Sequence, residues 1–136
     1  MAKKLGAKIM GLGAFTKVVG DAGITVAKHS PIPITTGNSY SASATLWAAA
    51  EGTKRLGLVT IPEGKEKLNA SSMVIGATGS IGSVSSKLLA MVFNDVILCG
   101  RNEERLQELK KTISEENPKS NIHTTTNADK YLHDVD

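Results

Sequence analysis

Ser72-Met73-Val74-Ile75 runs directly into Gly76-Ala77-Thr78-Gly79-Ser80-Ile81-Gly82-Ser83. The short apolar run ending at a glycine predicts a buried strand. Ile81, Val84, Leu88 and Val92 fall at helical spacing and predict an amphipathic helix that begins near Ser80. The glycines between them have separable tasks. Gly76 permits a tight turn, Gly79 lets backbone approach a ligand without a Cβ in the way, and Gly82 allows the helix to pack closely on the strand. Backbone N–H groups at the start of that helix, aided by its dipole, favour an anion such as phosphate. Thr78 and Ser80 can add hydroxyl donors. A glycine-rich turn without a ligand is the plain alternative, and the strand before it and the helix after it favour the phosphate loop.

Downstream, Asp95-Val96-Ile97-Leu98-Cys99 predicts a second buried strand, and Asn102 caps a following helix with Glu103 and Glu104 in its first turn. Leu106, Leu109 and Ile113 form the apolar stripe of that helix, and Pro118 marks its end. Ile122 and His123 belong to a third strand, and Ala128 to His133 to a short helix. Strand, glycine loop, helix, strand, helix and short strand imply an α/β fold with a parallel sheet. The expectation is a partial Rossmann-type doubly wound sheet. A complete fold of that type uses about six strands, so this one is truncated after about three. Leu132-His133-Asp134-Val135-Asp136 stands where a further strand is expected, which reads as a stretch of a longer protein.

Upstream, Lys8-Ile9-Met10-Gly11-Leu12-Gly13-Ala14-Phe15-Thr16 reads as a short strand entering a glycine-rich turn, and Ile24-Thr25-Val26-Ala27 as a second strand. Pro31 and Pro33 hold the next segment extended. Thr35-Thr36-Gly37-Asn38 supplies a turn and a cap for a helix from about Ser39 to Arg55. Tyr40, Ala44 and Trp47 share one face of it, and both aromatics are expected to be at least half-buried. Gly57 is its stop, and Pro62 to Asn69 is a connecting loop. Residues 1–66 are therefore expected to be a strand-and-helix segment from an upstream domain with its connecting helix. Residues 67–136 are the N-terminal part of the Rossmann domain.

Composition narrows the function. The 136 residues are 40% hydrophobic and 21% charged, the profile of a soluble globular chain. A net charge of +3, with no Lys/Arg cluster carrying interleaved aromatics, argues against nucleic acid. No apolar run is long enough to span a bilayer, and no apolar segment follows Met1-Ala2-Lys3-Lys4 to make a secretory signal. The single Cys99 forbids an internal disulfide and fits a reducing, cytoplasmic setting. His29, His123 and His133 lack metal-ligand spacing, and no metal is expected. An unfinished sheet exposes a strand edge, so a homo-oligomer is expected.

The candidate cofactor-binding residues are Gly76, Thr78, Gly79, Ser80, Ile81, Gly82, Arg101 and Asn102. Arg101 follows the second strand, where this fold meets the adenosine ribose. An acid there suits the 2′-hydroxyl of NAD, and an arginine suits the 2′-phosphate of NADP. Gly100-Arg101-Asn102 carries no acid before Glu103, so NADP (NADPH) is the expected cofactor. Arg105 either assists one turn on or pairs with a glutamate on the helix surface. Cys99 ends a hydrophobic strand and reads as core rather than nucleophile. Thr35 to Thr45 either lines a cleft or caps and packs a helix. Gly11 to Thr16 reads as a turn, and His29 as a loop residue. The catalytic residues are not identified.

Three blocks in order carry a family resemblance: Ile9-Met10-Gly11-Leu12-Gly13-Ala14-Phe15-Thr16, Thr35-Thr36-Gly37-Asn38-Ser39-Tyr40, and Val74 to Ser83 leading to Gly100-Arg101-Asn102. Together they resemble the long-chain acyl-(acyl-carrier-protein) reductases and their relatives among shikimate or amino-acid dehydrogenase-like proteins. The third block is generic to Rossmann proteins, and Thr-Thr-Gly-Asn is the more specific. The resemblance implies an NADPH-dependent reductase of an acyl thioester or related carbonyl compound, on a small-molecule or acyl-carrier substrate. It also implies a cysteine nucleophile downstream of the cofactor loop, a role that Cys99 does not match, so this stretch is expected to be catalytically incomplete. The alternatives are a dehydrogenase transferring hydride directly and a non-catalytic NADP-sensing protein.

Overall fold

The computed structural model describes residues 1–13, 23–58 and 67–133, which divide into two compact units, Met1–Tyr40 and Ser41–Asp136. The first unit holds a 3₁₀ turn at Ala2–Leu5, strand β1 (Met10–Gly11), helix α1 (Ile24–His29) and strand β2 (Ile34–Thr35). β1 and β2 pair in parallel, Met10 opposite Ile34. Two features differ from the sequence expectation. Ile24-Thr25-Val26-Ala27 is helical, although its β-branched residues favour strands. Gly23 at φ 91° turns the chain into this single short run, where the Ala27 N–H donates to the Gly23 carbonyl and His29 Nδ1 bonds the Thr25 carbonyl oxygen (2.8 Å). His29 thus ends a helix rather than lying in a loop. Thr35, expected in a turn, is the second residue of β2, and the turn begins after it, at Gly37 (φ 72°). Ala14, Phe15 and Thr16 of the first expected turn lie outside the described residues, as do residues 62–66 of the expected connecting loop.

Helix α2 (Asn38–Arg55) has the expected bounds within a residue, but its exposed face is not the expected one. Tyr40 and Trp47 are 80% and 79% exposed, and Ala42 is buried instead. The helix is mostly alanine, serine and threonine, so only a narrow strip of small side chains is available for close packing.

The second unit is built on a three-stranded parallel sheet in the order β3 (Leu68–Ile75), β4 (Phe93–Cys99), β5 (Asn121–Thr125). β3 begins four residues earlier than the apolar run suggested, taking in Leu68 and Asn69. Helices α3 (Ser80–Val92) and α4 (Glu103–Glu116) connect the strands, giving β3–α3–β4–α4–β5. This is the partial Rossmann-type α/β arrangement expected from the sequence. Ser71, Met73 and Ile75 pair with Asp95, Ile97 and Cys99, and these with Asn121, His123 and Thr125. Side chains alternate across a strand, so Val74, Val96, Leu98 and Ile122 form the other face. That face packs with Ala90 of α3 and with Leu106 and Ile113 of α4 into one apolar core.

The buried face of α3 is not the stripe of large residues. Ile81 and Val92 are exposed, whereas Ser86 and Ala90 are fully buried. Gly82, Ser86 and Ala90 recur every four residues, so α3 lies close to the sheet on its smallest side chains. The Ser86 hydroxyl is satisfied by donating to the Gly82 carbonyl (2.8 Å). α4 follows its expected stripe, with Leu106 and Ile113 buried, the Asn102 side chain accepting from the Arg105 N–H (2.9 Å), and Asn117 ending the helix before Pro118. A 3₁₀ turn at Ala128–Tyr131 stands where a short helix was expected.

At the opposite end of the sheet, Lys67 donates to the Ala90 carbonyl (2.7 Å) and to the Ser120 hydroxyl. The Ser120 hydroxyl also reaches the carbonyl oxygens of Ala90 (2.7 Å) and Phe93 (3.1 Å), tying the ends of α3, β4 and β5 together. Burial, with Lys119 nearby, lowers the pKa of Lys67 below the usual lysine value. Among the described residues no buried side-chain polar atom lacks a partner, and no helix is long and apolar enough to cross a membrane.

Candidate functional site

The site lies at the carboxyl ends of β3, β4 and β5, where open α/β sheets hold ligands. β3 ends at Ile75, and Gly76 turns the chain at φ 79°, a conformation that L side chains rarely adopt. The Gly76 and Ala77 N–H groups both donate to the Cys99 carbonyl (2.9 and 3.0 Å), which pins the loop to the end of β4. The Gly79 N–H donates back to the Gly76 carbonyl (3.0 Å). A Cβ on Gly79 would stand 3.3 Å from that oxygen, and one on Gly82 only 2.2 Å. Gly82 therefore meets the loop through bare backbone.

α3 starts immediately after this loop. Its N-cap, Gly79, has no side chain to satisfy the first N–H groups, and the first turn carries no acid. The N–H groups of that turn have no partner within the helix. A helix start of this kind, uncapped and without a carboxylate, suits an anion.

Beside it opens a cleft of about 560 Å³ lined by Gly76, Thr78, Gly79, Arg101, Asn102 and Arg105, with Ile75, Cys99, Gly100 and Thr126 completing the wall. The cleft brings together five of the residues expected from sequence: Gly76, Thr78, Gly79, Arg101 and Asn102. Ser80, Ile81 and Gly82 form the first turn of α3 and lie outside its lining. Cys99 is buried, as expected of a core residue, and contributes through its carbonyl. Among the described residues neither Arg101 nor Arg105 is paired with a carboxylate. Arg105 lines this cleft and also a neighbouring groove on α4 with Glu108, with which it forms no ion pair.

Thr126 was not singled out from sequence. It follows β5, and the register of β5 against β4 carries the chain end to the same rim: the Gly100 N–H donates to the Thr125 carbonyl (3.1 Å). The position of Ile122 in a third strand was the signal that could have found it. Glu103 is the first acid after β4, yet it does not line the cleft. Its Oε1 accepts from Gln107 Nε2 (2.7 Å) and from the Thr124 hydroxyl (3.4 Å), and Gln107 Nε2 also reaches Thr124 Oγ1 (3.0 Å). No group of three or more metal-ligating side chains occurs among the described residues.

Comparison with known proteins finds matches to part of the chain. Residues 72–135 match the family described as polysaccharide biosynthesis protein. Over 55 residues the chain is 47% identical to a 7beta-hydroxysteroid dehydrogenase of Clostridium sardiniense, covering 40% of this chain and 21% of that protein. Over 36 residues it is 50% identical to the aminotransferase PigE of Serratia sp. (strain ATCC 39006), covering 26% of this chain and 4% of that protein. A crystal structure assigned as a short chain dehydrogenase from Escherichia coli CFT073 aligns with a TM-score of 0.40 and 30% identity, over 47% of this chain and 29% of that one. The chain thus spans about a fifth or less of the length of the curated relatives it matches.

Proposed function

We propose that this chain supplies the adenosine half of an NADP (NADPH) site in an oxidoreductase acting on an acyl thioester or a related carbonyl compound. One observation carries the reading. A glycine loop whose last glycine admits no Cβ opens onto a cleft that holds two arginines, Arg101 and Arg105. Gly76, Thr78, Gly79 and the first turn of α3, with Ser80, Ile81 and Gly82, would hold the pyrophosphate. Asn102 caps the start of α4 next to Arg101. Arg101, with Arg105 beside it, would grip a 2′-phosphate through charge-assisted hydrogen bonds.

When bound, the nicotinamide carries hydride to or from a carbonyl carbon. The described residues bind and orient. None of them is assigned a part in the chemical step, and buried Cys99 is not offered as a nucleophile. The acyl-thioester substrate rests on the three-block resemblance. A second reading, direct hydride transfer to a carbonyl or from an alcohol with no covalent intermediate, is favoured by the similarity to a hydroxysteroid dehydrogenase. On either reading residues 67–136 act as the cofactor-binding part, residues 1–66 belong to an upstream segment, and the setting is cytoplasmic.

The test is a titration of the chain with NADPH and with NADH, followed by nicotinamide fluorescence. NADPH is expected to bind about ten- to a hundredfold more tightly, the gain of one strong charge-assisted contact. Failure to bind either dinucleotide, or tighter binding of NADH, would overturn the proposal.

A further inference from the structure

We infer that Gln107 and Thr124 are specificity-determining residues that hold the Glu103 carboxylate out of the cleft and so keep it open to a 2′-phosphate. The inference rests on the NADP reading above. Glu103 is the first residue of α4 and lies two positions from both Arg101 and Arg105. A carboxylate free to swing there would do three things. It would compete for the Arg101 guanidinium that precedes the helix, repel a phosphate, and offer an acceptor to an unphosphorylated ribose. Each effect shifts preference from NADP towards NAD.

The structure shows that carboxylate engaged elsewhere. Gln107, one turn along α4, donates to it at 2.7 Å, and the Thr124 hydroxyl on β5 lies within 3.4 Å. Gln107 and Thr124 also bond each other at 3.0 Å, so the three side chains form a closed triangle between helix and strand. Both partners are neutral. They hold the charge in place without cancelling it, while Arg101 and Arg105 stay unpaired with carboxylates among the described residues. The N-terminal dipole of α4 favours an acid at this first position, which explains why a glutamate is accommodated so near an anion site.

The probes are adenosine 2′,5′-bisphosphate and adenosine 5′-monophosphate, which differ only at the 2′ position and need only the adenosine half of the site. Their affinities give a ratio for each variant by titration calorimetry. The pair Gln107→Ala and Thr124→Val is expected to lower the ratio about three- to tenfold, the scale of one unit charge brought near a partly solvated phosphate. Adding Glu103→Gln to that pair is expected to restore it. Gln107→Ala alone lies on an exposed helix surface and is expected to give part of the same shift; it serves if the pair does not fold. An unchanged ratio in the Gln107 variants, with Arg101→Ala still lowering it, would overturn the inference and leave the NADP reading intact. An unchanged ratio in Arg101→Ala would overturn both.

Discussion

A methyl group at position 82 would sit 2.2 Å from the Gly76 carbonyl oxygen and 3.0 Å from the Ala77 Cα, both rigid backbone. Gly82→Ala must therefore push α3 off the loop. It is expected to cost about 1–3 kcal/mol in urea unfolding, as overpacking does, and to abolish detectable dinucleotide binding. Gly79→Ala, at 3.3 Å from the same oxygen, asks for a shift of only tenths of an ångström and is expected to cost less. Equal unfolding midpoints for the Gly82 variant and the unmodified chain would contradict this geometry. Lys67 makes a separate case. Its folded-state pKa is lowered, so between that value and its usual 10.5 the unfolded chain binds more protons than the folded one. Stability at this site therefore rises with pH through that window. Lys67→Met is expected to flatten the alkaline rise in urea stability relative to the unmodified chain, and a steeper rise in the variant would refute the assignment.

At the scale of elements, what could be read from sequence followed from how each element is held. α4 was legible because its stripe is large and regular: Leu106, Leu109 and Ile113 repeat at helical spacing and Asn102 is a strong cap. Asn102→Ala is expected to cost about 1 kcal/mol in thermal or urea unfolding, and no loss would show that the cap is idle. α3 was legible in its bounds but not in its facing. Ile81 and Val92 at the ends of its large-residue stripe are exposed, Leu89 packs on the core from off that stripe, and the fully buried positions Ser86 and Ala90, in line with Gly82, carry little hydrophobic signal. Ser86→Leu is accordingly expected to destabilise by about 1–3 kcal/mol, whereas Ile81→Ala stays within about 0.5 kcal/mol. The reverse order would restore the large-residue stripe. α1 was misread because Ile24, Thr25 and Val26 favour strands, and the positive φ of Gly23 that turns the chain is invisible in composition. β1 and β2 are two residues each, too short to leave a period.

At the scale of the whole molecule, the sheet of the second unit was legible because two apolar strand ends and Ile122 of a third strand alternate with two helices. The site was legible where it depends on glycine spacing and on the residue after β4, and less so where it depends on register. Thr126 and the triangle around Glu103 arise from the pairing of β5 with β4, which no local pattern announces. Among the described residues β3 and β5 each pair only with β4, which leaves both outer edges of that sheet unpaired. Ile75, Met91 and Val92 are exposed apolar side chains of the same unit. Unpaired edges with apolar surface favour association. The chain is expected to form homo-oligomers in sedimentation at crystallisation-range concentrations, and a monodisperse monomer there would refute this.

The central claim is that Arg101 selects the phosphorylated cofactor, and calorimetric titration of Arg101→Ala with NADPH and NADH tests it most directly. Each charge-assisted bond that the guanidinium makes to a phosphate contributes about 1.5–3 kcal/mol. NADPH affinity is therefore expected to fall about ten- to a hundredfold while NADH affinity stays nearly unchanged; equal losses for both cofactors, or tighter NADH binding by the unmodified chain, would contradict the claim.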